Sequence, residues 1–330
     1  MNARELLAKM SEMRVLVIGD VCLDRWCRYN PALSIESRET GIPRIAVVET
    51  ERTPGAAGTV AANLKSLGVK EVAVMGAIGD DGFGHELKMA LVRKSIYTDY
   101  LVVSPRLNTF TYTKLLNAET GKEDLPRVDF INTLDLPEDA EDQICGMLAG
   151  VSGPGSGFDL ICVSDQAETD RGGVVTEAVR EKLAGIASVG ERLVWVDSRG
   201  RIERFRNAVL KANADEAAEA RSRTGVATLH DVRKQADAPS LFVTHGGNGV
   251  QIFDDRGETW IMTRRIDNPV DICGAGDSFT AGAACALAAG ATTEEAARLG
   301  HLVASVSIMK PGTGFALPDE LLEAERWANE

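Results

Sequence analysis

The sequence predicts an α/β protein: a doubly wound, mostly parallel sheet flanked by helices, with a small β-sheet lid. Three observations predict it. Short apolar runs recur along the chain, each ending in a polar residue. Helical stretches, several of them Ala-rich, separate the runs. Two β-rich segments break the alternation. Continuous apolar strands of this length are buried on both faces, as in a parallel sheet covered by helices. The strand-helix rhythm then gives the doubly wound arrangement.

The predicted strands come in order. Val15-Leu16-Val17-Ile18 precedes Gly19-Asp20, and Val72 to Ile78 precedes Gly79-Asp80-Asp81. Leu160-Ile161-Cys162-Val163 precedes Ser164-Asp165, and Leu193-Val194-Trp195-Val196 precedes Asp197. Val209-Leu210 precedes Lys211-Ala212-Asn213, and Leu241-Phe242-Val243 precedes Thr244-His245-Gly246. Helices are predicted over Ala56 to Leu67, Gly172 to Ala187 and Gly276 to Ala289. Thr292 and Glu295 form a capping box that opens a further helix through Ser307. In such sheets ligands bind beyond the carboxyl ends of the strands, so the terminal polar residues share one candidate edge.

The two irregular segments are residues 21–53 and 97–131. Both are β-rich with partial alternation, and both leave the sheet on its carboxyl side. They are expected to form one antiparallel lid over the site, because long excursions beside a site usually carry function. Residues 1–330 then read as one domain, with Gly153 to Gly157 as a short loop.

The chain has 330 residues, 36 Lys plus Arg and 49 Asp plus Glu, a formal net charge of -13. Such a surface repels a phosphate backbone and an anionic membrane face, so neither nucleic acid nor membrane is an expected partner. A pocket of backbone N–H groups or Arg can still hold a small anion. The six cysteines lack CxxC spacing and the four histidines are scattered. A zinc site is therefore not expected, and the cysteines read as reduced thiols of a cytoplasmic protein. The first dozen residues lack the apolar core of a signal peptide.

The strongest local signal is Asp271-Ile272-Cys273-Gly274-Ala275-Gly276-Asp277-Ser278-Phe279. Small residues entering a helix leave free backbone N–H groups at its positive end, which builds an anion hole. Asp277 lies in the first turn. An Asp there is a good helix-start residue; it is also placed to act as the general base for a hydroxyl attacking a phosphate. GxxxxGK[ST] is absent, and no GxGxxG follows the first strand, so Walker-type and nicotinamide readings are weak. Cys273 has no base nearby in sequence to make it a nucleophile.

This segment resembles the second signature of the ribokinase-like, or phosphofructokinase B, family of sugar kinases, and other features follow in the family's order. Asp24 after Gly19-Asp20 resembles the sugar-binding Asp. Pro54-Gly55-Ala56-Ala57-Gly58 resembles the glycine-rich turn of the first signature. Asn213-Ala214-Asp215-Glu216 matches NxxE, and Thr244 through Gly246 to Gly249 matches the TxGxxG nucleotide loop. Lys310-Pro311-Gly312-Thr313-Gly314 resembles the loop closing the adenine side, and His301 stands where ribokinase has an adenine-contacting His. Within the family, the segments around Asp24, Ser37 to Pro43 and Arg127 to Phe130 are most similar to heptose 7-phosphate kinases.

The resemblance implies an ATP-dependent kinase acting on a sugar or sugar phosphate. Asp277 would be the base, and the N–H groups of Gly274, Ala275, Gly276 and Asp277 the anion hole. Asp24, Gly55, Thr59, Arg127 and Asp165 would bind the acceptor. Asn213, Glu216, Thr244, Gly246, Gly249, His301 and Gly312 would bind the nucleotide. Glu216 would hold Mg2+ through water, and Asp271 and Cys273 with Gly312 resemble a loop for a monovalent cation, K+. Thr59 stands where an Asn is usual, Ala56 replaces a Gly, Gln166 an aromatic and Arg199 a Lys. No nucleotidyltransferase half follows, so a bifunctional heptose enzyme is not expected. A kinase for another sugar or a nucleoside, or a non-catalytic sensor on the same fold, are the alternatives. A homodimer through the lid is expected, because sheet edges invite pairing with a second copy.

Overall fold

The structure, a computed structural model, describes residues 1–152, 157–167, 169, 171–263 and 265–328. The loop expected over Gly153 to Gly157 therefore lies mostly outside the described residues. The elements run α1 (Ala3–Met10), β1 (Arg14–Gly19), β2 (Val21–Tyr29), β3 (Val47–Ala56), α2 (Ala57–Ser66), β4 (Glu71–Gly79) and α3 (Gly82–Arg93). Next come β5 (Tyr97–Ser104), β6 (Thr111–Asn117), β7 (Val128–Phe130), α4 (Glu138–Ser152), β8 (Leu160–Asp165), α5 (Glu177–Val189) and β9 (Leu193–Ser198). The chain continues through β10 (Val209–Asn213), α6 (Ala214–Thr224), α7 (Leu229–Gln235), β11 (Leu241–Thr244), β12 (Val250–Asp254) and β13 (Gly257–Ile261). It closes with α8 (Ala275–Ala288), α9 (Thr293–Ser307) and α10 (Pro318–Ala328).

Nine strands form one sheet in the order β13-β12-β11-β10-β9-β8-β1-β4-β5. Pairing is parallel from β5 to β11, and β12 and β13 are antiparallel. The strand order turns at β1, which has β4 on one side and β8 on the other. That switch point opens a crevice at the carboxyl ends. The strand side chains divide between two cores. Val15 and Val17 pack with α1, α2, α8 and α9 on one face. Leu16 and Ile18 pack with α4, α5 and α6 on the other. Interior strands such as β8, β9 and β10 are buried along almost their whole length, which is why they read as unbroken apolar runs.

A separate four-stranded sheet, β3-β2-β6-β7, forms the lid. It is not wholly antiparallel as expected, since β2 and β6 pair parallel, and it differs from the expected lid at both segments. In the second, residues 97–104 belong to the main sheet as β5, paired parallel to β4. β5 is an edge strand with only some positions covered, so its sequence alternates like a lid strand. In the first, β3 continues to Ala56, and residues 35–46 form only an isolated bridge between Glu36 and Pro43. The helix expected from Gly172 begins later, at Thr176, whose side chain caps Val179 N–H. The preceding residues are held by the buried Asp20, which accepts from the Val174 and Gln166 backbone N–H groups at 2.8 Å each.

Candidate active site

α8 begins where Gly274 takes φ 77°, a left-handed turn that a side chain would strain. The Ser278 N–H closes the first helical bond to the Gly274 carbonyl at 2.9 Å. The Ala275 N–H is already bonded to the Ile272 carbonyl at 3.2 Å, which corrects its expected place in the anion hole. The Gly276 and Asp277 N–H groups have no bond within the chain among the described residues, and they carry the helix's positive end.

Asp277 lies in the first turn of α8. Burial pushes its carboxyl up to about 7; Asp197 and Asp24 add to this, while Lys211 and Arg199 oppose it. A carboxyl poised near neutrality is matched to accepting a proton from a hydroxyl. Asp24, on β2 of the lid, is raised to about 6 by burial, against the fields of Lys114 and Arg127. The two carboxylates sense each other, so the lid residue and the helix residue lie within electrostatic reach. Gly55 permits this. A Cβ there would lie 2.5 Å from Cys22 Sγ and 2.7 Å from each oxygen of Asp24. The lid rests on α3, where Glu86 pairs with Arg52 at 2.9 Å and faces Arg25 at 3.6 Å. The Phe83 ring meets Phe130 at a tilt, with centroids 4.9 Å apart.

Two expected acceptor residues do not present their side chains to the cleft. Thr59 is 1% exposed and donates its hydroxyl to the Pro54 carbonyl at 3.1 Å. It therefore ties the start of α2 to the end of β3. Asp165 is 1% exposed and is held by Arg201 and by the Ser198 hydroxyl, the latter at 2.7 Å. It fixes the ends of β8 and β9. Arg127 does lie in the lid. It pairs with Asp129 at 2.7 Å and covers the Tyr112 ring at 5.1 Å.

The nucleotide candidates line the other arm of the edge. Asn213 and Glu216 form a capping box at α6. Asn213 Oδ1 accepts from Glu216 N–H at 2.9 Å, and Glu216 Oε2 accepts from Asn213 N–H at 2.7 Å. The half-buried Glu216 carboxyl is raised, mainly by burial. Thr244 ends β11 beside Asn213, and Gly246 and Gly249 turn the following loop with φ of 55° and 110°. Gly312 turns near Trp26. Asp271 Oδ1 accepts from Cys273 N–H at 2.9 Å, so that loop is pinned from within. His301 is 8% exposed and meets the Phe279 ring edge-on at 5.2 Å. Burial lowers it to about 4, so its imidazole is neutral at physiological pH. It lines a cavity of about 860 Å³ between Met262, Thr263, residues 265–267, α9, α1 and α10.

Sequence reasoning does not single out two lysines. Lys114 on β6 stands over the Trp26 ring at 4.3 Å and acts on Asp24 and Cys273. Lys211 on β10 pairs with Asp197 at 2.7 Å under α8. The available signal was a lysine inside an otherwise apolar strand, Val209-Leu210-Lys211-Ala212, where an unpaired charge is costly.

Comparison with known proteins shows the family and the fold. Bifunctional protein HldE of Caulobacter sp. (strain K31) is 33% identical over 335 residues, covering 96% of this chain and 64% of its own length. Bifunctional protein HldE of Pelobacter propionicus is 30% identical over 320 residues, covering 94% of this chain and 62% of its own length. The chain thus spans less than two thirds of each of these relatives. The solved phosphofructokinase-2 from Escherichia coli in complex with potassium superposes with a TM-score of 0.73 at 18% identity, covering 96% of this chain and 100% of that one. Ribokinase from Thermotoga maritima superposes at 0.69 with 18% identity, covering 95% and 99%. Residues 14–127 and 173–320 match the family described as pfkB family carbohydrate kinase. The chain belongs to that family of carbohydrate kinases.

Proposed function

We propose that this kinase transfers the γ-phosphoryl group of ATP to a hydroxyl of a sugar phosphate, with heptose 7-phosphate as the acceptor class. One observation carries the acceptor reading: Lys114 and Arg127 project their fields from the lid onto Asp24, within a chain of net charge -13. Local cations in an acidic protein suit a phosphorylated acceptor. The similarity to the HldE proteins over 94 to 96% of this chain points the same way.

In this reading Asp24 binds a sugar hydroxyl, and Gly55 lets the backbone approach it. Asp277 takes the proton of the attacked hydroxyl, and the Gly276 and Asp277 N–H groups hold the transferring phosphoryl. The loop carrying Gly246 and Gly249 cradles the nucleotide, and His301 lines the cavity that takes its base. Glu216 would hold Mg2+ through water, with the nucleotide phosphates as its other ligands. When bound, the ion neutralises phosphate charge. Asp271, the Cys273 carbonyl and Gly312 would hold K+. The protein acts in the cytoplasm as a homodimer joined through the lid.

The test is ADP release with ATP and magnesium across paired free sugars and sugar phosphates, repeated with Arg127→Ala. The phosphorylated acceptor should win, and Arg127→Ala should raise its KM. A preference for free sugars sinks the acceptor reading, as does an unchanged KM in the variant.

A further inference from the structure

Lys211 plays no part in the proposed transfer, yet it is among the most completely buried cations of the chain, at 5% exposure. Burying an ammonium costs several kcal/mol unless it is paired. Its partner is Asp197, directly opposite on β9, with Nζ 2.7 Å from Oδ2. The Thr280 hydroxyl of α8 donates to the same oxygen at 3.1 Å. The ammonium is thereby tethered beneath the first turns of α8. Burial pulls its pKa down, but Asp197 more than offsets this and the net shift is upward, so the group stays charged.

Its position relative to the anion hole decides what it can do. A Cβ on Gly276 would lie 3.3 Å from Lys211 Nζ. Gly276 has no Cβ, so the ammonium stands directly beside the residue whose N–H forms part of the hole. An ammonium has three N–H donors, and the bond to Asp197 is its one hydrogen bond among the described residues. The electrostatics also need a cation here. Asp197, Glu216 and Asp277 all act on Lys211, and three carboxylates around one anion hole would repel a polyphosphate. A simple counter-ion for Asp197 would not need to stand at the gap beside Gly276.

We propose that Lys211 is the buried cation of the phosphoryl-transfer site, offering its unspent N–H groups and its charge to the terminal phosphate of the nucleotide past Gly276. Pairing with Asp197 orients it for this and is not its whole purpose. The proposal rests on the kinase chemistry of the family and not on the identity of the acceptor, so nucleotide binding without any acceptor tests it.

The single variant Lys211→Met leaves Asp197 buried and unpaired, and it is expected to fold poorly. The informative protein is the neutral pair Asp197→Asn with Lys211→Met, compared with Asp197→Asn alone. Calorimetry would measure Kd for ATP and for ADP, each with magnesium, alongside the melting temperature. The neutral pair should melt close to wild type, bind ATP at least about tenfold more weakly and bind ADP within about twofold of wild type. Asp197→Asn alone should bind ATP no more weakly than wild type, because it removes a negative charge. ATP binding by the neutral pair within twofold of wild type would make Lys211 a structural counter-ion and overturn the proposal. Equal weakening of ATP and ADP would overturn it as well.

Discussion

At Ala56 the backbone takes φ 50° and ψ -120°, a region that suits glycine, between lid strand β3 and helix α2. The resembling signature has a glycine there, so the strain comes with the substitution. Ala56→Gly should stabilise the protein by about 1 kcal/mol, read as a higher denaturation midpoint at unchanged slope. A lower midpoint would show that the Ala56 methyl packs favourably enough to outweigh the strain. Asp277 makes a second point at this scale. Its carboxyl is raised to about 7, and those of Asp20 and Asp24 to about 6. A raised carboxyl contributes stability in full below its ordinary pKa and loses it as pH rises through the folded value. The three therefore oppose folding at neutral pH and above. Asp277→Asn should raise stability at pH 8 by on the order of 2 kcal/mol, allowing for water at the site, and by less toward pH 5. The wild-type kcat/KM should fall as pH drops below about 7, because the base must be ionised. A variant destabilised at pH 8, or a flat acidic limb, would remove Asp277 from this role. Asp277 is legible in the sequence because the small residues before an Ala-rich helix bare its N–H groups, and a carboxylate beside them suits phosphoryl chemistry. Thr59 is misleading there, since a hydroxyl fits the outline of a ligand group while its bond to the Pro54 carbonyl is a tertiary fact.

The lid is the element that joins sequence to chemistry. β2 leaves the main sheet directly after Asp20 and carries Asp24, and β6 pairs parallel to it with Lys114 opposite Trp26. Helix α3 supports it through Glu86, Arg25 and Arg52, whose side chains are 20 to 39% exposed. Partly solvated pairs of this kind contribute little each. Glu86→Gln should therefore leave the melting temperature nearly unchanged while loosening the seat of the lid. The acceptor KM should rise roughly two- to fivefold with kcat held. A fall in kcat at constant KM would mean that Glu86 acts on the chemistry instead. The lid's existence is readable because its segments are β-rich with partial alternation. Its borders are not, since β5 alternates for another reason, its place at the edge of the main sheet.

Across the whole molecule, the parallel sheet is the feature most fully written in the sequence. The unbroken apolar runs of β1, β4, β8, β9 and β10 can be satisfied only by burial on both faces. What they could not reveal is which polar residues at the strand ends look inward. Asp165 and Asp197 are both spent on buried cations, Arg201 and Lys211, a pairing between distant residues with no local signature. The lid segments also carry an exposed apolar set. Ile35, Ile42, Val47 and Val48 are 58%, 67%, 44% and 56% exposed, and β3 is an edge strand. A second copy of the chain would cover them. Sedimentation should give a dimer, and Ile42→Lys with Val48→Lys should give a folded monomer. A wild-type monomer at high concentration would contradict the homodimer.

In the proposed reaction, Asp277 takes the proton of a hydroxyl on a phosphorylated sugar as the γ-phosphoryl group of ATP is transferred. The most direct test of that step is the initial rate of ADP release with heptose 7-phosphate, measured for the wild type and for Asp277→Asn at pH 8. Wild-type turnover should be robust, and the variant should lose about 100-fold or more with ATP binding retained. Turnover by Asp277→Asn close to that of the wild type would contradict it.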